Sequence, residues 1–473
     1  MKNPRSGVAR VGLLAVGLRS YWDQFPGMKD GILAFHGRLA GILGAKAEVI
    51  HAGLVDSVVV ARRAADLFSA GHVDMVFCHL TTYANSETLL PAVSGLNVPV
   101  VLLNVQPVRT LDMSEVKGIA DWLGVACTCA ALPEMTAILI RAGKRFAVVS
   151  GHLDNDEILE QRLSEWCAIA GLRRVMSGKS AALIGRPFAG MLDLNVDETN
   201  LFNVFGTYTQ HFDWDDVIAE LDAVTDKQIS AAAADLDRLF VRSPSVSEEE
   251  LQSLAGICAA FRRFVVRHEL CLVASHYEGE PSDRHTGLLA ALNPALSLLM
   301  ADGVACPVEG DIKAGLAMLI LKRLAGSATL AELYSMDFED DICIIGHSGA
   351  GDPSISGEPP TLSYSTVFHG KSGGGYLTQF YPRLGPATLL AVTQDASGGY
   401  RMIAAECHLE QGPTLNLGDT NSRVRFSCDL RNFIEQWSEL GPTHHAVLGP
   451  GHHVQTLNRA STALGIPLEV VAR

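Results

Sequence analysis

Glu309 stands in "VACPVEGDIKAGLAML" (304–319), after an apolar run and two residues ahead of Asp311, which can cap the helix that follows. Three further places carry side chains of the same chemical kind. They are Glu332 in "ATLAELYSMDFEDD", His347 in "CIIGHSGAGD", and the histidines 444, 445, 452 and 453 in "GPTHHAVLGPGHH". Carboxylate oxygens and imidazole nitrogens together suit hard or borderline divalent cations. Each place also has a plainer reading. Glu309 alone reads first as a helix-start carboxylate favoured by the macrodipole. Glu332 reads as a solvated helix face, and His347 as a hydrogen-bonded residue at a strand end. The histidine pairs read as loop residues, and Asp337, Glu339, Asp340 and Asp341 as a solvated turn. Strand alternation would send His444 and His445 to opposite faces, so at most one should point into a given site. Order along the chain says more than any single residue.

The elements that must position these residues follow from hydrophobic periodicity. Apolar strand-like runs at "VGLLAVG", "AEVIHAG", "VDMVFCHL", "VPVVLLN" and "RFAVVSG" alternate with helical segments at "GILAFHGRLAGILG", "SVVVARRAADLFSAG", "MSEVKGIADWLG" and "DEILEQRLSEWCAIAG". Such alternation predicts a parallel sheet covered on both faces, with ligands gathering at the C-terminal strand ends. "HLTTYANSE" (79–87) and "NVQPV" (104–108) then fall in loops that can face a ligand. A second α/β region begins near residue 175. "GKSAALIGRPFAGMLDLNVD" and "NLFNVFGTYTQHFD" read as strand–loop units, followed by helices near 215–240 and 247–268 and a strand at "ELCLVASHYEG". "SPSVSEEE" (243–250) reads as an exposed helix start. From about residue 326, short glycine-punctuated segments with period-two alternation predict an antiparallel sheet or barrel. "GKSGGGY" (370–376) lacks the order of a phosphate loop and reads as a hairpin turn.

Bulk properties bound the function. At 473 residues, 48% hydrophobic and 19% charged, the chain is globular and long enough for several domains. A net charge of −15 argues against nucleic acid or an anionic membrane as the main partner. The apolar start, Val11 to Leu18, is short, contains two glycines and reads as a buried strand rather than a secretory signal. No stretch reaches the roughly 18–20 apolar residues of a membrane span. The expectation is a cytoplasmic protein whose ten cysteines, spread without a framework, are reduced.

"VEGDIKAGL", then "AEL", then "GHSG", then "HH" near the C-terminus resembles the L-arabinose/L-fucose isomerase family. "HLTTYANSETLLPAV", "LLNVQPV", "RFAVVSGHLDNDE", "LSEWCAIAG" and "GRPFAGMLDLNVDETNLFNVFG" are similar to blocks of its fucose-isomerase-like members, in the same order. The resemblance implies an α/β fold of two Rossmann-like doubly wound domains followed by a β-rich, barrel-like C-terminal domain. The boundaries fall at 1–174, 175–325 and 326–473. It further implies an aldose–ketose isomerase with Mn²⁺ (or Co²⁺ or Mg²⁺) held by Glu309, Glu332, His347 and one histidine of the 444–445 pair, His445 by position with His444 left open, the two glutamates doubling as acid and base. Tyr83, Met191, Asp193 and His444 are expected to line the pocket of a small-molecule sugar. A homo-oligomer, tetramer or hexamer, is expected, with no nucleic acid or membrane partner. "LAEL" stands where arabinose isomerases carry "FMEDY", and "GSHMLE" has no counterpart, so the resemblance implies the reaction and not the sugar. A non-catalytic sugar-binding or sensory protein, or a metal-dependent epimerase on the same scaffold, are the competing expectations.

Overall fold

The computed structural model describes residues 8–125, 127–276, 283–366 and 373–471. The chain divides into two compact units, Met1–Val175 with Asn458–Gly465, and Met176–Leu457 with Ile466–Arg473. Among the described residues no single helix is long and apolar enough to cross a membrane.

In the first unit, strands β1 (Arg10–Val16), β2 (Glu48–Val55), β3 (Met75–Leu80), β4 (Val100–Gln106) and β5 (Phe146–His152) pair in the order β2-β1-β3-β4-β5. All pairs are parallel. The order is that of flavodoxin-like doubly wound sheets. The continuous apolar runs are explained by burial, since β3 is buried at every position. Phe68 of the helix Val58–Ala70 and Met135 and Leu139 of the helix Leu132–Arg141 cover one face of the sheet. The "MSEVKGIADWLG" helix forms only over Ile119–Val125. Ahead of it Asp112 accepts from the backbone and hydroxyl of Ser114, which closes a turn in place of a helical one. Residues 458–465 return to this unit, where Arg145 and Arg173 donate to the carbonyls of Leu464 and Ala463.

The second unit begins with a small parallel sheet of β6 (Ser180–Ile184), β7 (Tyr208–Phe212) and, beyond the two-residue β8 (Val241–Arg242), β9 (Leu270–Ser275), in the order β7-β6-β9. "NLFNVF", expected extended, is the helix Glu198–Phe205. The Asp197 side chain accepts from the amides of Thr199 and Asn200 and starts it. The expected 215–240 helix is two, Trp214–Leu221 and Asp226–Leu239, the second opened by a Thr225–Gln228 capping box. "SPSVSEEE" does start a helix, Glu248–Arg267, through a Ser247–Glu250 box.

Residues 304–308 run parallel beside β9 through single bridges at Ala305 and Val308. Pro307 lies between them and has no N–H to give a continuous ladder. The next helix, Ile312–Ala325, is buried over residues 312–321 and packs on β9 and on the strands Gly385–Gln394 and Ala446–Pro450 of the following sheet.

That sheet contains β10 (Thr329–Asp337), β11 (Ile342–His347), β14 (Gly385–Gln394), β15 (Tyr400–Glu410), β16 (Thr420–Phe426), β17 (Ala446–Pro450) and β18 (Leu468–Val471). Between β11 and β14, the strands β12 (Thr361–Ser365) and β13 (Gly375–Gln379) pair with β8 in a separate sheet of three. The large sheet runs β14-β17-β10-β11-β16-β15-β18, and β14 also pairs with β15. Every pair is antiparallel except β15–β18. The expected β-rich C-terminal region is therefore present as a ring of pairings, which is less than a defined barrel. The "GKSGGGY" turn falls partly outside the described residues, between β12 and β13, which are antiparallel as a hairpin requires.

Candidate metal centre

Glu309 sits where the 304–308 segment ends, at the C-terminal edge of the parallel sheet. Its φ is +60°, and that of Gly310 is +75°. A non-glycine residue in the left-handed region costs energy and is held there only by its surroundings. Those surroundings are specific. The Glu309 carbonyl accepts from the Phe188 amide at 2.9 Å, and the Gly310 amide donates to the Ser275 carbonyl at 3.2 Å. A Cβ on residue 310 would lie 2.7 Å from Pro187 Cα and 2.8 Å from the Arg186 carbonyl oxygen, so only glycine fits. Asp311 then caps the buried helix by accepting from the Ala314 amide at 3.0 Å.

The β-rich sheet brings in the other donors through its register. Glu332 on β10 lies opposite Gly346 of β11, beside His347. On the other side Ala331 pairs with Ala446, the first residue of β17, so His445 stands just ahead of that strand and near Glu332. The nearest atoms of His445 and Glu332 are 4.0 Å apart, and His445 Nε2 is 3.5 Å from Glu309. Both histidines immediately before β17 enter the site. His444 Nε2 is 3.4 Å from Glu309 and 3.8 Å from Glu332. The expectation that alternation would admit only one of them fails because residues 444 and 445 precede the strand and do not share its pleat.

The two inner imidazoles are fixed by their outer nitrogens. His445, fully buried, donates from Nδ1 to the Asp311 carboxylate at 3.0 Å. His347 donates from Nδ1 to the Ser348 carbonyl at 2.5 Å. Those oxygens can only accept, so each neutral ring carries its proton on Nδ1 and a lone pair on Nε2. The two Nε2 atoms face each other at 3.2 Å. Facing lone pairs repel unless a cation lies beside both. Adjacent donors around a six-coordinate divalent ion are about 3 Å apart. Donor atoms of Glu332, His347 and His445, and of Glu309, His444 and His445, form two groups that could each hold an ion, sharing His445. The donor set therefore fits a divalent metal.

Electrostatics follow the same geometry. Burial raises the Glu309 carboxyl, but the hydrogen bond from His444 and the neighbouring His445 and His347 hold it below the usual range. Burial and the adjacent His445 ring push His347 down to about 3. His444 is moved the other way, to about 9, where hydrogen bonds to Glu309 and Asp193 outweigh burial. Asp193 accepts from both the amide (3.0 Å) and Nδ1 (2.7 Å) of His444. Lys313, buried, ties the same loop down through the Asn195 carbonyl at 2.7 Å. Met191 lies two residues ahead of Asp193, half-buried. Tyr83 belongs to the first unit, where its hydroxyl donates to Glu134 at 3.3 Å. His452 and His453 take no part in the centre, their rings bonding to the carbonyls of Cys407 and Pro450. Asp311 as the holder of His445 escaped the sequence reading, which saw only a helix cap.

Residues 327–467 match the family described as the L-arabinose isomerase C-terminal domain. The chain is 24% identical over 413 residues to a protein named L-arabinose isomerase from a Nocardioides species, covering 84% of this chain and 80% of that one. A protein of the same name from Aeromonas hydrophila is 22% identical over 410 residues, with the same coverage. One from Bacillus licheniformis is 21% identical over 374 residues, covering 78% of this chain and 74% of its own. Together these matches make the chain similar to proteins named L-arabinose isomerase over most of its length. The C-terminal domain match takes in Glu332, His347, His444 and His445 but not Glu309 or Asp311, which the fold supplies from the preceding segment.

Proposed function

We propose that this protein is a metal-dependent aldose–ketose isomerase in which Glu309, Glu332, His347 and His445 hold one divalent cation, Mn²⁺ in the first instance and Co²⁺ or Mg²⁺ as alternatives. The observation that carries the reading is the pair of Nε2 lone pairs 3.2 Å apart, with two carboxylates beside them. A cation there supplies Lewis-acid stabilisation to the negative charge that develops on the sugar oxygens.

The chain's own groups do the proton work. One of Glu309 and Glu332 takes the proton from C2 of the aldose, giving an enediol(ate), and returns a proton to C1, leaving the carbonyl at C2. The hydroxyl proton passes from O2 to O1, so atoms and charge balance. Glu309, largely enclosed and held ionised by the imidazoles, is the base on this reading. Glu332, half-buried on the β10 edge of the centre, faces the entering sugar. His444, pinned by Asp193, presents Nε2 from the outer side as a hydrogen-bond donor to a sugar oxygen. Met191 is proposed as a further pocket residue. The same reading proposes a cytoplasmic homo-oligomer, tetramer or hexamer.

The relatives' name makes L-arabinose the first sugar to try, followed by other pentoses, hexoses, deoxy sugars and acidic sugars. Dialysis against a chelator should abolish ketose formation and added Mn²⁺ should restore it. Full turnover by the stripped protein, or by Glu309→Gln, would sink the proposal. A C2-epimeric aldose as the sole product would instead identify an epimerase.

A further inference from the structure

We propose that Asp419 and Ser348 form a positioning clamp that sets the ring plane and tautomer of His347, and through them the affinity of the centre for a divalent cation. The inference rests on the metal reading above and concerns residues that touch no ligand themselves.

His347 ends β11, and the register pairs it with Thr420, the first residue of β16. Ser348 and Asp419 therefore form the next rung, just past the ladder, where no backbone pairing fixes them. A side-chain contact does so instead. Ser348 Oγ donates to Asp419 Oδ2 at 2.5 Å. Asp419 is anchored in turn at its carbonyl by Gln379 Nε2 and Asn421 Nδ2, each at 3.3 Å.

The consequence reaches the centre through one atom. The Ser348 carbonyl accepts from His347 Nδ1, so the orientation of that peptide decides which His347 nitrogen carries the proton. If Ser348 turns, the proton is free to move to Nε2 and the lone pair is lost from the donor set. Asp419 also behaves as a residue kept for something other than local stability. Its Oδ1 is buried and has no hydrogen-bond partner among the described residues. An unpaired buried carboxylate oxygen carries a desolvation penalty that a residue kept only for local stability would not incur. The clamp for His347 parallels the Asp311 contact that fixes His445. Both inner imidazoles are thus locked with Nε2 turned to the same point, one by a carboxylate directly and the other by a carboxylate acting through a serine.

The test uses the full chain, stripped of metal, with Mn²⁺ titrated calorimetrically into wild type, Ser348→Ala, Asp419→Ala, the double variant and Ser348→Thr. Thermal unfolding of each metal-free form separates positioning from fold loss. Each alanine variant should bind Mn²⁺ about tenfold or more weakly while its metal-free melting stays near wild type. The double variant should be no more than about threefold weaker than the weaker single one, because both act through one hydrogen bond. Ser348→Thr, which keeps the hydroxyl, should bind within about threefold of wild type. A folded Asp419→Ala that binds Mn²⁺ as wild type does, or a double variant whose loss is the product of the two single losses, overturns the clamp alone. Wild-type protein that takes up no Mn²⁺ overturns the metal reading and the clamp with it. Should Asp419→Ala not fold, the Ser348 pair carries the same comparison.

Discussion

Asp311→Asn tests the geometry of the centre most revealingly, because Asp311 spends its two carboxylate oxygens on two different partners. One oxygen accepts from the Ala314 amide and the other from His445 Nδ1, each at 3.0 Å, and both Asp311 and His445 are fully buried. Asparagine has the same shape but only one acceptor. With its oxygen on the cap, its NH₂ faces His445 Nδ1 and forces the imidazole proton onto Nε2, removing a metal-binding lone pair. The loss of an outer-shell acceptor of this kind weakens metal affinity by about 10–100-fold, or about 1.4–2.7 kcal/mol. With the amide turned over, His445 keeps its tautomer but the Ala314 N–H loses its acceptor. That leaves a buried donor unsatisfied at about 1–3 kcal/mol, which lowers melting by several degrees in a unit of this size. The assay is a Mn²⁺ titration beside thermal unfolding of the metal-free protein. One of the two quantities must fall. Wild-type melting together with wild-type affinity would refute the assigned contacts.

Other outcomes follow from the same structure. Gly310→Ala should cost about 1–2 kcal/mol for the left-handed backbone alone and more for the contact with Pro187, and should lower turnover by displacing Glu309; thermal unfolding and a ketose assay would read both. Asp193→Ala should raise KM or lower kcat with little change in Mn²⁺ affinity, since Asp193 holds His444 and not the inner imidazoles. In the first unit His36 bridges His79 (3.1 Å) and His51 (2.9 Å), and burial holds His36 at about 3 and His79 at about 4. Both stay neutral in the folded state while the unfolded chain takes up protons below about pH 6.5, so stability present at pH 8 is lost as pH falls from 6.5 towards 4. By pH 5 the loss is on the order of 4 kcal/mol for the two groups, a large share of a typical total. Urea unfolding at pH 8 and pH 5 checks it, with an unchanged midpoint as the contrary result and a flatter profile expected for a variant replacing both His36 and His79 with leucine.

The strands and helices of the first unit were legible because apolar periodicity is a local signal. β1, β3, β4 and β5 lie within a few residues of their expected runs. The helix Glu198–Phe205 was misread because "NLFNVF" is a short apolar-rich run that does not separate strand from helix, although the Asp197 cap was there to be seen. The helix expected at 113–118 is absent because Asp112 offers the backbone a turn. In the centre, Glu309, Glu332, His347 and His445 were selected by motif order; in the structure the first three each approach His445, and His444 stands as near to Glu309 as His445 does. What local patterns could not carry were the contacts that depend on strand register and on oxygens left over after local roles are filled. Asp311 is visible as a cap, but its second oxygen meets His445 only when β17 is laid beside β10. Ser348 and Asp419 are 71 residues apart and meet only through the β11–β16 pairing. The backbone strain at Glu309 has no sequence signature beyond the glycine after it.

The central claim is that Glu309, Glu332, His347 and His445 hold one divalent ion. Anomalous diffraction from crystals equilibrated with Mn²⁺ tests it most directly. One strong peak per chain is expected, about 2.0–2.3 Å from a carboxylate oxygen of each glutamate and from Nε2 of each histidine. A peak elsewhere, or no peak at a Mn²⁺ concentration that supports turnover, would contradict it.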